Sequence, residues 1–282
     1  MKLITWNIQF GVGMDGRNDL ARIIAHAGRI ADFDVLCLQE VADNFPGLKA
    51  NRGENQFAEI AALLPGYTAI EGIAVDTPGP DGRRQRFGNM LLSRLPVGQV
   101  LRHALPWEAD ATKSMPRLLV EAVLMAPFGP LRVMTTHLEY YSPKQRTAQV
   151  EGIREVHRQA CARAARPPLP SDNMFQPHPV GPSAILTADF NMRTSDPSYA
   201  RLSAPFDGGA PSLLDAWTVR HPGEPHPNSF CIYEQLAGPP HCCDFIFVTE
   251  DLAPRVLRVA YDVETQLSDH QPVLIELRDE PA

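Results

Sequence analysis

Short apolar runs alternate along the chain with longer stretches of helical period. Leu3 to Ile8 is a nearly continuous apolar run, typical of a strand covered on both faces, and Val35–Leu38 is a second one. Between them, Asp19–Phe33 carries an apolar residue every three or four positions, which predicts an amphipathic helix. The succession predicts an α/β (α+β) protein in which helices face the sheets.

The same pattern continues to the end of the chain. Gln56–Leu64 predicts a short helix that Pro65-Gly66 ends, and a further helix is expected near Pro197. Ser142-Pro143-Lys144-Gln145 has the form of a capping box and precedes an apolar stripe over residues 150–160, so a longer helix is predicted there. Further strands are predicted at 67–75, 87–93, 97–103, 117–125, 131–136, 184–188, 244–248, 255–263 and 272–277.

The domain organisation follows from the distribution of strands and prolines. Residues 166–183 hold six prolines and are expected to form an irregular surface loop. Strands at both ends of the chain look like parts of one architecture, and no linker or repeat divides them. We therefore expect one domain over residues 1–282.

Composition and charge narrow the class of protein. The 282 residues are 44% hydrophobic, and the formal net charge of −7 comes without a basic stretch. This weighs against binding nucleic acid through bulk positive charge, although a bound cation can supply such charge locally. The five cysteines contain no CxxC motif, so a disulfide framework is not expected. The chain begins with a strand pattern and shows no signal peptide or membrane span, which predicts a cytoplasmic protein, expected to be a monomer.

Polar residues recur where apolar strands end. Those at the carboxyl ends are Asn7, Glu40, His137 and Asp189, with Asn191 two residues further on, while Asp244 opens its strand and Asp269-His270 stands just before the last one. A carboxylate at the mouth of a buried strand is costly unless it is paired or binds a cation. Carboxylate and amide oxygens suit Mg²⁺ or Mn²⁺, so a hard-cation site is predicted.

Each of these residues also has a structural interpretation when it is taken alone. The alternatives are a turn former at Asn7, a helix cap at Glu40, an Asx-turn over Asp189 and Asn191, a solvated turn at Asp269-His270, and a satisfied sheet-edge histidine at His137. These interpretations are weak jointly, because the residues recur in one order and in one structural setting.

The motif series resembles that of the endonuclease/exonuclease/phosphatase superfamily, the deoxyribonuclease I-like group. The matching segments are Thr5-Trp6-Asn7, Leu38-Gln39-Glu40, residues 88–94, Thr136-His137-Leu138, residues 188–191, residues 244–247 and Ser268-Asp269-His270. The resemblance covers nearly the whole chain. It implies a four-layer α/β/β/α sandwich, in which two mixed sheets pack face to face with helices outside.

The resemblance also implies roles for these residues. Glu40 would be the principal ligand of Mg²⁺ or Mn²⁺, helped by Asn7 and Asp269. Asp189 would position or activate the attacking water, and Asn191 would orient that water or the phosphate. Asp244 would hydrogen-bond His270, which would contact the phosphoryl oxygen or act as the base, while His137 would stabilise the developing charge or assist the leaving group. In-line attack on a phosphate needs these functions.

Departures from the family pattern bear on the subgroup. Abasic-site endonucleases carry tyrosine where His137 stands and aspartate where Gln9 stands, so the sequence is unlike theirs. Deoxyribonuclease I pairs the equivalent histidine with a glutamate near the Asn89 segment, where this chain has Gly88-Asn89. Asn89 is therefore expected to contact phosphate instead.

Other substrate contacts are predicted less directly. Arg117 begins a strand and is expected to reach the phosphate, with a surface arginine as the alternative. Two roles are open for Arg83, Arg84 and Arg86: they either bind a polyanion or keep their loop soluble. Trp107 and Tyr140 either stack on a base or pack in the core or at the rim, and His178 lies in a loop that would line the cleft.

The sequence therefore predicts a Mg²⁺- or Mn²⁺-dependent hydrolase of phosphate esters. The candidate substrates are nucleic acid, nucleotides, and lipid or inositol headgroups. Two alternatives remain open: a binding or scaffold protein that keeps the fold without catalysis, and a metal-dependent hydrolase of another bond.

Overall fold

The computed structural model describes residues 1–169, 172, 174–175 and 180–280. The strands are β1 (Lys2–Asn7), β2 (Val35–Asp43), β3 (Thr68–Pro78), β4 (Arg84–Ser93), β5 (Val97–Ala104), β6 (Leu118–Ala126), β7 (Gly129–His137), β8 (Ala184–Asp189), β9 (Leu213–Asp215), β10 (Asp244–Thr249), β11 (Val256–Tyr261) and β12 (Val273–Leu277). The α-helices are α1 (Leu20–Ile30), α2 (Gln56–Leu63), α3 (Pro143–Ala165), α4 (Pro197–Ser203) and α5 (Ala216–Arg220).

The strands form two six-stranded mixed sheets. The first has the order β11-β12-β1-β2-β4-β3 and the second has the order β5-β6-β7-β8-β10-β9. Each contains one parallel pair among antiparallel neighbours, β1 with β2 in the first sheet and β7 with β8 in the second. The two parallel pairs end in residues that the sequence singled out, Asn7 on β1 and His137 with Asp189 on β7 and β8.

The apolar core lies on both faces of each sheet. In β1, Leu3 packs into the core between the sheets, whereas Ile4 and Trp6 face the helices on the other side. The strand therefore needs apolar residues at successive positions rather than at alternate ones, which explains the continuous run in the sequence. Between the sheets, Val35 and Cys37 of β2 join the same cluster as residues of β6, β7, β8 and β10.

Helices cover the two outer faces. The apolar stripe of α1 and residues Phe57 and Ile60 of α2 pack on the first sheet. Val150 and Ile153 of α3 and Leu202 of α4 pack on the second sheet. The result is the four-layer sandwich that the sequence predicted, which is confirmed.

Most predicted helix ends have the expected hydrogen bonds. Asp19 accepts from Arg22 N at 2.9 Å at the start of α1. Ser142 caps α3 by accepting from Gln145 N at 3.2 Å. The reciprocal half of the capping box does not form, because the Gln145 side chain instead bonds both backbone groups of Glu108.

The structure differs from the predicted elements at β2 and at two short elements near residue 215. β2 does not end near Glu40 but continues to Asp43 through a shift in its pairing with β4 between Leu38 and Val41. β9 and α5 were not predicted, because a three-residue strand and a five-residue helix are too short to show a period. The predicted loop at 166–183 lies partly outside the described residues, and the described residues 167–169 within it belong to no helix or strand.

Two further expectations concern cysteines and membranes. All five cysteines are free and buried. In the described part of the chain, no helix has both the length and the apolarity needed to cross a bilayer.

Candidate active site

Strand register places three of the predicted residues side by side in the second sheet. His137 at the end of β7 stands opposite Asp189 at the end of β8. Asp189 in turn stands opposite Asp244, the first residue of β10. All three side chains are buried. A row of titratable groups across three neighbouring strands therefore lies at one edge of this sheet.

The first sheet contributes Asn7 and Glu40 to the same place. Glu40 lies in the irregular part of β2 with φ of 61°, a left-handed conformation that a non-glycine residue adopts only where the surroundings impose it. The Asn7 amide nitrogen donates to Glu40 Oε1 at 3.1 Å and to Asp189 Oδ2 at 3.0 Å. Asn7 therefore joins the two sheets at the site.

Gln9 connects Asn7 to Asp269. Its backbone nitrogen donates to Asn7 Oδ1 at 3.0 Å, and its side-chain amide donates to Asp269 Oδ2 at 2.9 Å. In this arrangement the Asn7 amide orients carboxylates, and its oxygen is already engaged by Gln9. The sequence singled out Gln9 only as a departure from one subgroup, and its positive φ of 45° is not visible in a hydropathy pattern.

Asp244 and His270 form a hydrogen-bonded pair. His270 Nδ1 lies 2.9 Å from Asp244 Oδ2, and His270 Nε2 lies 3.5 Å from Asp189 Oδ2. Burial alone would lower the pKa of His270, but the charges of Asp244 and Asp189 outweigh it and raise that pKa well above its usual range. His270 is therefore a charged imidazolium whose orientation Asp244 fixes.

Two residues that the sequence analysis missed hold this pair. Ser229 Oγ donates to Asp244 Oδ2 at 2.6 Å and accepts from the backbone nitrogens of Cys243 and Asp244. The Phe230 ring stacks on the His270 imidazole with centroids 4.3 Å apart and an interplanar angle of 20°. Ser229 and Phe230 lie in an irregular segment with no period or motif, so no signal in the sequence pointed to them.

His137 and Asn191 form a second polar contact in the site. Asn191 Nδ2 lies 2.9 Å from both His137 Nε2 and Leu138 O. The same His137 Nε2 also lies 3.3 Å from Asp189 Oδ2. Burial, and then the charge of Arg117, lowers the pKa of His137 to about 3, so the ring is neutral at physiological pH. Asn191 N also donates to Asp189 Oδ1 at 2.9 Å, so the Asx-turn is present together with the site.

Two carboxylates of the site lack a basic side chain as partner. Burial, and then the neighbouring charge of Asp269, raises the pKa of Glu40 to about 7. Burial also raises the pKa of Asp269. Among the described residues, no lysine or arginine forms an ion pair with Glu40, Asp189 or Asp269. This concentration of partly buried carboxylates fits a divalent cation, because oxygen donors suit Mg²⁺ and Mn²⁺.

A tighter cluster of possible ligands lies beside it. One ligand atom each of Asp189, Cys243, Asp244 and His270 lies within 4.8 Å of the others. Burial raises the pKa of the Cys243 thiol well above its usual range, and Asp244 and His270 already bond each other. The chemistry of this set fits a hydrogen-bond network better than a hard-cation site.

Arg117 and Asn89 lie together with His137. The three line one small cavity, and both Arg117 Nη1 and Asn89 Oδ1 are buried without a hydrogen-bond partner in the described structure. Arg117 is 6% exposed, so the alternative of a surface arginine is wrong. Gly88 is required beside Asn89, because a Cβ there would lie 2.0 Å from Gly72 O on β3.

The remaining candidates lie apart from this cluster. The three arginines expected in a loop are paired with nearby carboxylates, Arg83 with Asp81, Arg84 with Asp76 and Arg86 with Asp43, and Arg84 and Arg86 lie in β4 rather than in a loop. Trp107 and Tyr140 are 57% and 43% exposed, so neither is a core residue. His178 lies outside the described residues.

The fold is similar to that of several solved structures. A structure from Beutenbergia cavernae DSM 12333, described as an endonuclease/exonuclease/phosphatase, is 24% identical with a TM-score of 0.63, over 99% of this chain and 71% of that one. A mannosyl-6-phosphatase from Bacteroides thetaiotaomicron VPI-5482 is 18% identical with a TM-score of 0.61, over 99% of both chains. The human Nocturnin catalytic domain with a bound sulfate anion is 15% identical with a TM-score of 0.62, over 98% of this chain and 92% of that one. At these identities the likeness is one of fold.

The family itself is shown by sequence. No curated protein matches the chain. The model of the Endonuclease/Exonuclease/phosphatase family, however, matches residues 4–270, a span that contains every residue of the site described above. The chain therefore belongs to the endonuclease/exonuclease/phosphatase family.

Proposed function

We propose that the protein is a Mg²⁺- or Mn²⁺-dependent hydrolase of phosphate esters. The observation that carries the proposal is the meeting of two unlike groups in one partly buried site. Glu40 and Asp269 bring negative charge without a basic partner, and Asp244 and His270 form an oriented carboxylate–imidazolium pair beside them. The first group suits a cation and the second suits a phosphoryl oxygen.

Glu40 and Asp269 would hold the cation, together with Asn7 if its amide turns its oxygen towards it. When bound, the cation supplies charge neutralisation for the phosphate and lowers the pKa of a water molecule. Asn7 already holds Glu40 and Asp189 at 3.1 and 3.0 Å, so the carboxylates are arranged before any ligand binds.

The other residues act on the water and the phosphate. Asp189 accepts a hydrogen bond from the attacking water and so orients it, while Asn191 holds Asp189 through the backbone contact of 2.9 Å. His270 donates from Nε2 to a phosphoryl oxygen, and Asp244 keeps Nδ1 protonated. Neutral His137, whose Nε2 lies 3.3 Å from Asp189 Oδ2, stabilises the developing charge or assists the leaving oxygen. Arg117 Nη1 donates to the phosphate beside His137, whereas Asn89, whose Nδ2 donates to Leu118 O at 3.1 Å, would donate to the phosphate once its amide turns.

Turnover of generic phosphoesters tests the proposal. The protein should hydrolyse bis-p-nitrophenyl phosphate or p-nitrophenyl phosphate with Mg²⁺ or Mn²⁺ and lose this activity in EDTA. Glu40→Ala and His270→Ala should each abolish turnover. Full activity in either variant would contradict the assignment of the site, and a metal-dependent melting temperature without turnover would favour a binding protein.

A substrate panel then separates the subclasses. Nucleic acid, nucleotides, inositol phosphates and sphingomyelin distinguish a nuclease, a phosphatase and a lipid phosphodiesterase.

We further propose that residues 1–282 form a single domain that acts as a cytoplasmic monomer. Gel filtration with light scattering tests the oligomeric state.

A further inference from the structure

Glu139 is a buried carboxylate that neither the motifs nor the roles above include. It lies two residues beyond the end of β7 and is 1% exposed. Its Oε2 accepts from Arg117 Nη2 at 3.2 Å, from Arg117 Nε at 3.4 Å and from Met115 N at 3.3 Å. Its Oε1 accepts from Tyr141 N at 2.9 Å. Both oxygens of the carboxylate are therefore engaged.

The contact with Arg117 is one-sided. Glu139 holds the edge of the guanidinium formed by Nε and Nη2, whereas Nη1 is buried and has no partner among the described residues. Because the guanidinium is planar, fixing this edge also fixes the direction of Nη1. Arg117 lines the small cavity that also contains His137 and Asn89, and its charge lowers the pKa of His137, so its unpartnered donor lies beside the site.

Glu139 is itself fixed through its backbone. Its nitrogen donates to Gln149 Oε1 at 2.9 Å, and its oxygen accepts from Arg146 Nη1 at 2.9 Å. Both partners lie on α3, which packs on the second sheet. The backbone of Glu139 is therefore held by α3, while its carboxylate is held by Arg117 and by two loop nitrogens.

We propose that Glu139 is a positioning residue that aims Arg117 Nη1 at the phosphoryl group. This inference rests on the proposed function, because it assigns a contact within that site. It predicts that Glu139 acts only through Arg117, so changes at the two residues should not be independent.

A double-mutant cycle tests this dependence. Glu139→Asp keeps the charge but withdraws the carboxylate, and Arg117→Lys keeps the charge but removes the planar fork. The kcat and KM for bis-p-nitrophenyl phosphate with Mg²⁺, and the Kd of inorganic phosphate from titration calorimetry, are measured for the wild type, both single variants and the double variant. Asp110→Asn is the matched control, because Asp110 accepts from Ser142 between the same two segments and does not contact Arg117.

We expect Glu139→Asp to lower kcat about tenfold with KM changed less than about threefold, since misplacing a phosphate contact costs mainly turnover. In the Arg117→Lys background the same change should lower kcat less than about twofold. Asp110→Asn should keep the wild-type kcat. Independent, multiplicative effects of Glu139→Asp and Arg117→Lys would overturn the proposal, as would an unchanged kcat in Glu139→Asp.

Circular dichroism and the melting temperature show whether each variant folds. If Glu139→Asp does not fold, Glu139→Gln enters the same cycle with the same expectation. If the wild type turns over no phosphoester, the proposed function fails, and the cycle is then decided on the phosphate Kd. Coupled effects on that Kd support the role of Glu139, whereas additive effects, or a wild type that binds no phosphate, overturn it.

Discussion

The Asn7 side-chain amide donates to Asp189 Oδ2 over 3.0 Å, from the end of a strand in one sheet to the end of a strand in the other. The same nitrogen donates to Glu40 Oε1 at 3.1 Å. One amide thus sets the separation of the carboxylate that would hold the cation from the carboxylate that would orient the water. This contact gives Asn7 a role that does not depend on whether it binds the cation.

Asn7→Ala should therefore lower kcat by about 10²-fold, because both carboxylates lose the group that spaces them. Asn7→Asp should be at least as damaging, since it adds a third negative charge between the two carboxylates. Steady-state kinetics with Mg²⁺ measure the effect. Asn228→Ala, a change of the same chemistry at a residue outside the site, serves as control, and equal kcat values in Asn7→Ala and wild type would contradict the prediction.

Asp244→Asn should lower kcat by about 10³-fold or more, because an amide cannot keep the His270 imidazole in the orientation and protonation state that the carboxylate imposes. Ser229→Ala should have a smaller effect in the same direction, since Asp244 loses one donor at 2.6 Å but keeps His270. Turnover in the order wild type, Ser229→Ala, Asp244→Asn is the expected result. An Asp244→Asn variant more active than Ser229→Ala would show that the pair does not serve catalysis.

Glu40→Gln should raise the melting temperature of the protein in EDTA at pH 8, above the Glu40 pKa of about 7, because it removes a partly buried negative charge that no lysine or arginine of the described residues pairs with. A gain of about 1 kcal/mol would correspond to roughly 2–4 °C. In the wild type, Mg²⁺ should raise the melting temperature by binding the folded state, and in Glu40→Gln this increment should be absent. Glu250→Gln, at an exposed position, is the control and should change neither value. A Mg²⁺ increment retained in Glu40→Gln would place the cation elsewhere.

A second buried charge network should govern stability at low pH. Glu121 Oε1 accepts from Arg132 Nε at 2.6 Å, and Glu121 Oε2 lies 2.8 Å from His103 Nε2. Burial alone would raise the pKa of Glu121, but His103 and Arg132 outweigh it and lower that pKa to about 2. Because the folded pKa is below the unfolded value, the stabilisation is complete above about pH 4.5 and is lost as the pH falls towards 2.

Glu121→Gln should accordingly cost about 3–5 kcal/mol at pH 7, because Arg132 is left buried without its carboxylate. The cost should shrink as the pH falls from about 4.5 towards 2, where the wild type also loses the charge. Urea unfolding across this range measures both effects. Glu151→Gln breaks an exposed pair with Arg201 and should cost less than about 1 kcal/mol. Equal losses in the two variants would contradict a special role of the buried network.

The sequence predicted the structure wherever a single reactive residue or a single hydrophobic period determines it. Leu3 to Ile8 showed a strand covered on both sides, and Asp189 and His270 showed the chemistry of the site, because apolar runs and reactive side chains are local signals. Ser229 and Phe230 were not predictable, since their function is to contact Asp244 and His270 across the fold rather than to react.

The same limit explains Glu40 and Glu139. The expected strand end at Glu40 is in fact an irregularity within β2, and a shift of pairing leaves no mark on hydrophobicity. Glu139 directly follows a matching motif, yet nothing in its neighbours shows that it turns inward to Arg117. Both positions depend on contacts between strands and loops that are far apart in sequence.

Because the site is divided between the two sheets, its activity depends on the relative position of the sheets. Asn7 and Glu40 belong to one sheet and His137, Asp189 and Asp244 to the other, so a slip of one layer by a fraction of an ångström would separate groups that hydrogen bonds now hold near 3 Å. Each sheet keeps its own ladder during such a slip. In dilute denaturant, catalysis should therefore fade while the β-sheet signal in circular dichroism is still intact.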